Sequence, residues 1–188
     1  MHYAVVTSIP LARYKGMLYI DDRWAQDIKG QIGLWEAITV FCPAVCVEAV
    51  PASAVPVPDG IVFTTHRSVK EFCGQLIASL RSSRGSVIYE FAGTNRMGRL
   101  GFTLAALFGG PGVPRIITFD APLSLISLRK GPFIKSAARM VYVGALRLFR
   151  WWALRSASGI LAVGQGILNE VDPIGKFRDK CLVVPLTL

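Results

Sequence analysis

The chain has 188 residues, 52% of them hydrophobic, and a formal net charge of +9. That length supports one domain with a buried core, and the composition excludes a disordered chain. No run of about 18 uncharged apolar residues occurs, which argues against a transmembrane helix. Met1 to Ile9 also lacks the basic start and small-residue cleavage site of a signal peptide. These features predict a cytoplasmic protein whose positive charge faces an anionic partner: nucleic acid, acidic lipid or a phosphorylated substrate. Four cysteines, Cys42, Cys46, Cys73 and Cys181, read without an export signal as reduced thiols rather than as two bridges.

The first apolar run, Tyr3 to Ile9, is short and valine-rich, as a buried strand is. "YKGMLYIDDRWAQDI", residues 14–28, reads as a polar loop at a strand-to-helix crossing, with a helix over Trp24 to Gly33. Strands follow at Ala37 to Phe41 and Gly60 to Thr64. Between them "PASAVPVPDG", Pro51 to Gly60, is a proline-rich surface connection unable to form a helix or central strand. The pattern continues with a helix over Val69 to Ser82, a strand over Ser86 to Phe91, a helix over Gly98 to Phe108 and a strand over Arg115 to Phe119. A long helix, Phe133 to Arg155, leads to a strand at Ile160 to Val163, a short helix near Gly166 to Glu170 and a last strand at Cys181 to Val184. Such alternation predicts an α/β, Rossmann-like fold: a parallel sheet with helices on both faces, because each parallel neighbour needs a crossover. The expected organisation is one domain over residues 1–188, cut from something longer, since the chain stops at "CLVVPLTL" without a helix to cover its last strand.

Candidate sites gather at predicted strand ends, where open α/β sheets bind ligands. Asp21, Asp22, Arg23 and Asp27, with Tyr14, Tyr19 and Trp24 beside them, suit a hydroxyl-rich or phosphorylated ligand. Helix capping by Asp21 or Asp22 is the competing structural role. "GTNRMGRLG", Gly93 to Gly101, opens a helix and carries Arg96 and Arg99, so an anion fits there. Its glycine spacing is neither a dinucleotide fingerprint nor a phosphate-binding P-loop. Asp120 in "TFDAP" ends a strand, where a carboxylate facing ligand costs less than one in the core. His66 in "TTHRS" also ends a strand, and as a lone histidine it is expected to be a hydrogen-bonded structural residue. No cysteine and histidine spacing suits zinc, so no metal is expected, and no G-x-S-x-G elbow is present.

Between Asp120 and Glu170 there is no acidic residue, while Arg129, Lys130, Lys135, Arg139, Arg147, Arg150 and Arg155 all lie there. On a helix, Lys135, Arg139, Arg147 and Arg150 share about a third of the circumference, and Ile134, Ala138, Val141, Ala145, Leu148, Phe149 and Trp152 gather opposite. The apolar side is expected to face the core. The basic side, with Trp151 near it, is expected either to be solvated or to contact an anionic membrane.

"GMLYIDDRWAQDI" followed by "AITVFCPA", then "GTNRMGRLGFTLAALFGGPGVPRIITFDAP" and "SASGILAVGQGILNEV" with "FRDKCLVVPLTL", resembles in order the N-terminal half of bacterial group 1 glycosyltransferases of the GT-B type. The likeness covers most of the chain. It implies an acceptor-binding domain whose donor-binding partner domain lies outside this chain, and an enzyme using a nucleotide sugar as co-substrate, without cofactor or metal. It implies a cell-envelope or polysaccharide acceptor, sugar or lipid-linked; the expected location is cytoplasmic, with the basic helix as the feature that would attach the chain peripherally to the inner face of the plasma membrane. Asp21, Asp22, Arg23, Asp27 and Arg96 become acceptor-side candidates and Asp120 the candidate catalytic group. Two departures stand out: the first loop has only Gly16 where paired glycines are common, and Phe119 stands where the family often has histidine. The alternative is a non-catalytic basic α/β module that binds nucleic acid or a membrane-associated partner through Arg139, Arg147 and Arg150. Nucleic acid is the weaker choice, since aromatic residues are not interleaved with the basic ones.

Overall fold

Tyr3 and Val5 point to one face of the first strand, Ala4 and Val6 to the other, and almost all of this run is covered, as befits the inside of a parallel sheet. The strand is β1 (His2–Val6) of a computed structural model that describes residues 1–83, 85–110, 112–120 and 133–184. The chain divides into two compact units: Met1–Phe91 with Asn95–Arg115, and Ala92–Thr94 with Ile116–Leu188.

In the first unit β1 pairs in parallel with β4 (Ala37–Cys46) on one side and β7 (Val87–Ala92) on the other. The first half of β4 pairs in parallel with β6 (Ile61–His66). In order of appearance these parallel strands lie third, second, first, fourth, the Rossmann-like arrangement whose order reverses at β1. Alternation along the strands divides the core. Tyr3, Ile38, Val40 and Cys42 cluster with Ala25 and Ile28 of α1 (Asp22–Lys29). On the other face lie α2 (Val69–Ser83), burying Phe72, Leu76 and Leu80, and α3 (Arg96–Phe108). Phe102 of α3 stands edge-on to Phe91, ring centroids 5.7 Å apart, and a Cβ on Gly101 would lie 2.9 Å from the Phe91 ring. Glycine there lets the helix settle on the sheet. Burial pushes the Cys42 thiol up to about 12, so it packs as a small hydrophobe.

Residues 14–28 are not a loop. β2 (Leu11–Tyr14) continues alongside the second half of β4, then turns through Lys15 and Gly16 into β3 (Met17–Asp21). Both turn residues have positive φ, 48° and 84°, which is what a two-residue hairpin of matching twist requires. The antiparallel β5 (Ala54–Pro56) joins β3 as an edge strand inside the proline-rich segment. Proline excludes a central strand but not an edge. The hairpin also shortens the first strand, and α1 opens at Asp22 rather than Trp24.

The second unit has its own parallel ladder of β8 (Arg115–Phe119), β9 (Gly159–Val163) and β10 (Cys181–Val184), with α4 (Phe133–Ser156), α5 (Gln165–Val171) and a 3-10 turn at Arg178–Lys180. The fold class is α/β and Rossmann-like, with mostly parallel strands flanked by helices. Among the described residues no helix is long and apolar enough to cross a membrane.

Candidate functional site

At the carboxyl ends of β1, β4 and β6 the first unit opens into a pocket of 330 Å³, lined by Ser8, Pro43, Ala44, Val45, His66, Arg67, Ser68, Val69 and Met97. β4 supplies the apolar wall. The polar rim comes from the turn joining β6 to α2. There the Ser68 hydroxyl accepts from the Glu71 amide at 3.1 Å, and the Glu71 carboxylate accepts from the Arg67 amide at 2.8 Å. This reciprocal cap fixes where α2 begins. The Glu71 side chain also accepts from Gln75 Nε2 at 3.4 Å, and Gln75 Nε2 donates to the Thr65 carbonyl at 3.1 Å.

His66 is the last residue of β6 and only 4% exposed. Its ring leans on Phe72, centroids 5.0 Å apart, and its Nδ1 has no hydrogen-bond partner among the described residues. Burial fits the structural role expected from sequence, while the expected hydrogen bond is not made by Nδ1 among the described residues. Burial holds the imidazole below its ordinary range, and the neighbouring Glu71 carboxylate offsets part of that effect. Since the unfolded chain takes up this proton near pH 6.5 and the folded chain only at lower pH, His66 costs no stability above about pH 6.5. Stability is lost as pH falls below that value. Melting temperatures between about pH 5 and 7 should fall toward acid, and the slope should flatten in His66→Gln.

The acidic cluster is assembled but turned to solvent. Asp21 is the N-cap of α1, its Oδ1 accepting from the Arg23 amide at 3.2 Å, and Asp22 accepts from Gln26 Nε2 at 3.1 Å. Asp21, Asp22, Arg23 and Asp27 are all exposed. By strand register Asp21 lies past the carboxyl end of β1, because Tyr19 pairs with Ala12 and Leu11 pairs with Ala44. Arg96 is the exposed first residue of α3, whose N-cap Asn95 accepts from the Gly98 amide at 2.7 Å. In the second unit Asp120 follows β8, exposed, and accepts a hydrogen bond from the Thr94 hydroxyl.

The long helix differs from the sequence-based expectation. Arg150 does not belong to an exposed basic face: its Nη2 lies 3.0 Å from the Glu170 carboxylate, its Nη1 donates to the Glu170 carbonyl at 3.2 Å, and its side chain is 11% exposed. The guanidinium also sits 5.7 Å from the Phe119 ring centroid. Val141, Ala145 and Leu148, expected to face the core, are exposed, Val141 by 74% and Leu148 by 71%. Arg147, Arg155 and Trp151 are exposed with them, the Arg155 guanidinium 4.6 Å from the Trp151 ring. The inward side consists of Leu146, Ala153 and Leu154 instead. The side chains of Lys135 and Arg139 lie outside the described residues. So do Arg129, Lys130 and the final residues 185–188.

Among the described residues no group of histidine, cysteine or acidic side chains could hold a metal ion. Comparisons with protein-family models, with curated proteins and with solved structures find no match. The pocket residues Ser8, Ser68 and Val69 were not singled out from sequence. The one legible sign was the S-x-x-E spacing of Ser68 and Glu71 directly after a strand, a helix-start signature.

Proposed function

We propose that this chain is the acceptor-binding domain of a GT-B type glycosyltransferase, which places a sugar from a nucleotide sugar onto a cell-envelope or polysaccharide acceptor. The observation that carries the reading is a Rossmann-like strand order with a pocket at the carboxyl ends of its strands, the position that open α/β sheets reserve for ligands. A Rossmann-like fold hosts many chemistries, so the choice among them rests on the ordered resemblance from "GMLYIDDRWAQDI" to "CLVVPLTL". In this reading Asp21, Asp22, Arg23, Asp27 and Arg96 hold acceptor hydroxyls. Asp120, oriented by the Thr94 hydroxyl, is the candidate for receiving the acceptor proton. The domain's contribution is positional: it aligns the attacking hydroxyl, and leaving-group stabilisation falls to the nucleotide-sugar side.

The test is binding by this chain. Ligand-observed NMR should detect oligosaccharide acceptors, and exchange of Asp22, Arg23 and Asp27 for alanine should weaken that signal with little change in melting temperature. Micromolar binding of a nucleotide sugar in calorimetry would overturn the assignment to the acceptor side. Equal losses of binding and stability in the alanine variants would leave those residues as helix caps only.

A second reading concerns location, and the exposed side of α4 favours it. Val141, Leu148 and Trp151 lie open beside Arg147 and Arg155, on a stretch of chain without acidic residues. Apolar side chains flanked by cations suit the interface of an anionic membrane.

A further inference from the structure

The second unit has a pocket of its own, 310 Å³, where the second half of α4 meets α5 and the loop after it. Its lining includes the buried Leu154 and Val171 and the rings of Trp151 and Phe177. Cations line it as well. Arg150 is committed to Glu170, but Arg147 and Lys176 are exposed and make no ion pair among the described residues. The acid in the lining, Asp172, is buried and its carboxylate is occupied: Oδ1 accepts from the Lys176 amide at 2.9 Å and Oδ2 from the Phe177 amide at 2.8 Å. Counted with Glu170, three cations therefore face two carboxylates that are both already engaged. The pocket keeps a positive charge that a bound anion would neutralise.

Asp172 also fixes what surrounds the pocket. Its carbonyl accepts from the Gly175 amide at 3.1 Å, so backbone and side chain together tie down the loop that follows, and that loop leaves Ile174 86% exposed. A large apolar side chain held open to water on a tied loop is preorganised for an apolar contact. Ile174 lines the pocket together with the exposed Trp151, and Leu148, also exposed, follows Arg147 on α4. Apolar side chains interspersed with cations suit an anionic membrane interface, and the pocket opens among them.

We propose that this pocket binds one anionic phospholipid, its phosphate held by Arg147 and Lys176 and the first carbons of an acyl chain packed on Trp151 and Ile174. Arginine and lysine both suit phosphate, the first as a fork of donors and the second as a point charge. The size agrees with a headgroup and not with a whole lipid: 310 Å³ is near the small end of ligand pockets, about 300–1,000 Å³, so the rest of each chain stays in the bilayer. The inference deepens the membrane reading of α4 and rests on it for the source of the ligand. What it adds is a defined site with one lipid per chain, where a charged surface alone would bind many lipids without saturating at one.

The experiment uses dihexanoyl phosphatidic acid at concentrations where it stays monomeric, so that binding needs no bilayer. Calorimetry on the full chain should give a saturable isotherm with one lipid per chain. Dihexanoyl phosphatidylcholine should not saturate over the same range. Glycerol 3-phosphate, which has the phosphate without the chains, should bind about tenfold more weakly, having lost the apolar contact. Lys176→Gln keeps the backbone amide that Asp172 accepts from and should weaken lipid binding about tenfold, the effect of losing a hydrogen bond to a charged group; Lys176→Arg should restore it. Arg155 is exposed on α4 and is not among the lining residues, so Arg155→Gln should bind the monomer as wild type while its attachment to vesicles falls. No saturable binding of the monomer, or wild-type affinity in Lys176→Gln, overturns the proposal. Glycerol 3-phosphate bound as tightly as the lipid overturns it too, by assigning the pocket to a soluble phosphate ester. Cosedimentation with acidic vesicles tests the membrane reading separately: attachment without monomer binding overturns the pocket alone, and monomer binding without attachment overturns the surface alone.

Discussion

Replacing Arg147 and Arg155 with glutamine should lower attachment of this chain to anionic vesicles by about thirtyfold. Each basic residue near such a surface contributes about 1 kcal/mol, and about 1.4 kcal/mol is a factor of ten. Both side chains are exposed on α4 and close to the exposed Trp151 and Leu148. Changing Val141 and Leu148 to glutamate should have the larger effect, since it removes the apolar contact and adds repulsion on the same side of the helix. Cosedimentation with vesicles of acidic and of neutral lipid measures both. Wild-type chain should bind only the acidic ones, and more weakly as salt shortens the range of exposed charges, about 10 Å at 0.1 M. If wild-type chain stays in solution with acidic vesicles at low salt, the α4 surface is not a membrane contact. Duplex DNA bound as tightly as lipid would show the charge to be unselective.

Arg150→Met should act on stability instead. Arg150 is 11% exposed and Glu170 29%, so the variant leaves a half-buried carboxylate without its guanidinium. It also gives up two hydrogen bonds to Glu170 and the contact with Phe119. A loss of about 2–3 kcal/mol is expected, below the 3–5 kcal/mol of fully buried pairs because Glu170 keeps some solvent. That corresponds to roughly 5–10 °C in melting temperature for a chain of this size. The double variant Arg150→Met, Glu170→Leu should recover much of the loss, since most of the penalty lies in a carboxylate that has lost its guanidinium. Thermal denaturation of the two variants decides it: no recovery in the double variant would place the effect in lost packing on Phe119.

The contrast between Arg147 and Arg150 illustrates why helical spacing alone misassigned this helix. A wheel distributes side chains by angle, and Arg150 falls near the other cations. Which side of the wheel turns inward is set by partners distant in sequence, here Glu170 and Phe119. Leu146, Ala153 and Leu154 meet the core, and the equally apolar Val141 and Leu148 do not. The hairpin of β2 and β3 was missed for a related reason. Its strands, LARY and MLYID, mix polar with apolar residues and so show no continuous apolar run, and Tyr14, Lys15 and Gly16 read equally well as loop. The positive φ at Lys15 is the feature that makes the turn, and no composition rule predicts it there.

What the sequence determined by itself was the alternation of apolar runs with helix-length segments. Among the described residues β1, β4, β6, β7, β8, β9 and β10 and the helices α1 to α5 all overlap segments predicted from it. Period and run length are local properties, so each segment carries its own signal. The tertiary structure decided everything that depends on neighbours. It set the strand order around β1, turned the α4 surface outward and placed Asp21 as a cap. It also buried His66 beside a pocket whose walls come from two strands, two helices and the loop after β1. Burial and an unsatisfied nitrogen are relations between distant residues, and a single histidine in "TTHRS" contains neither until the chain has folded around it.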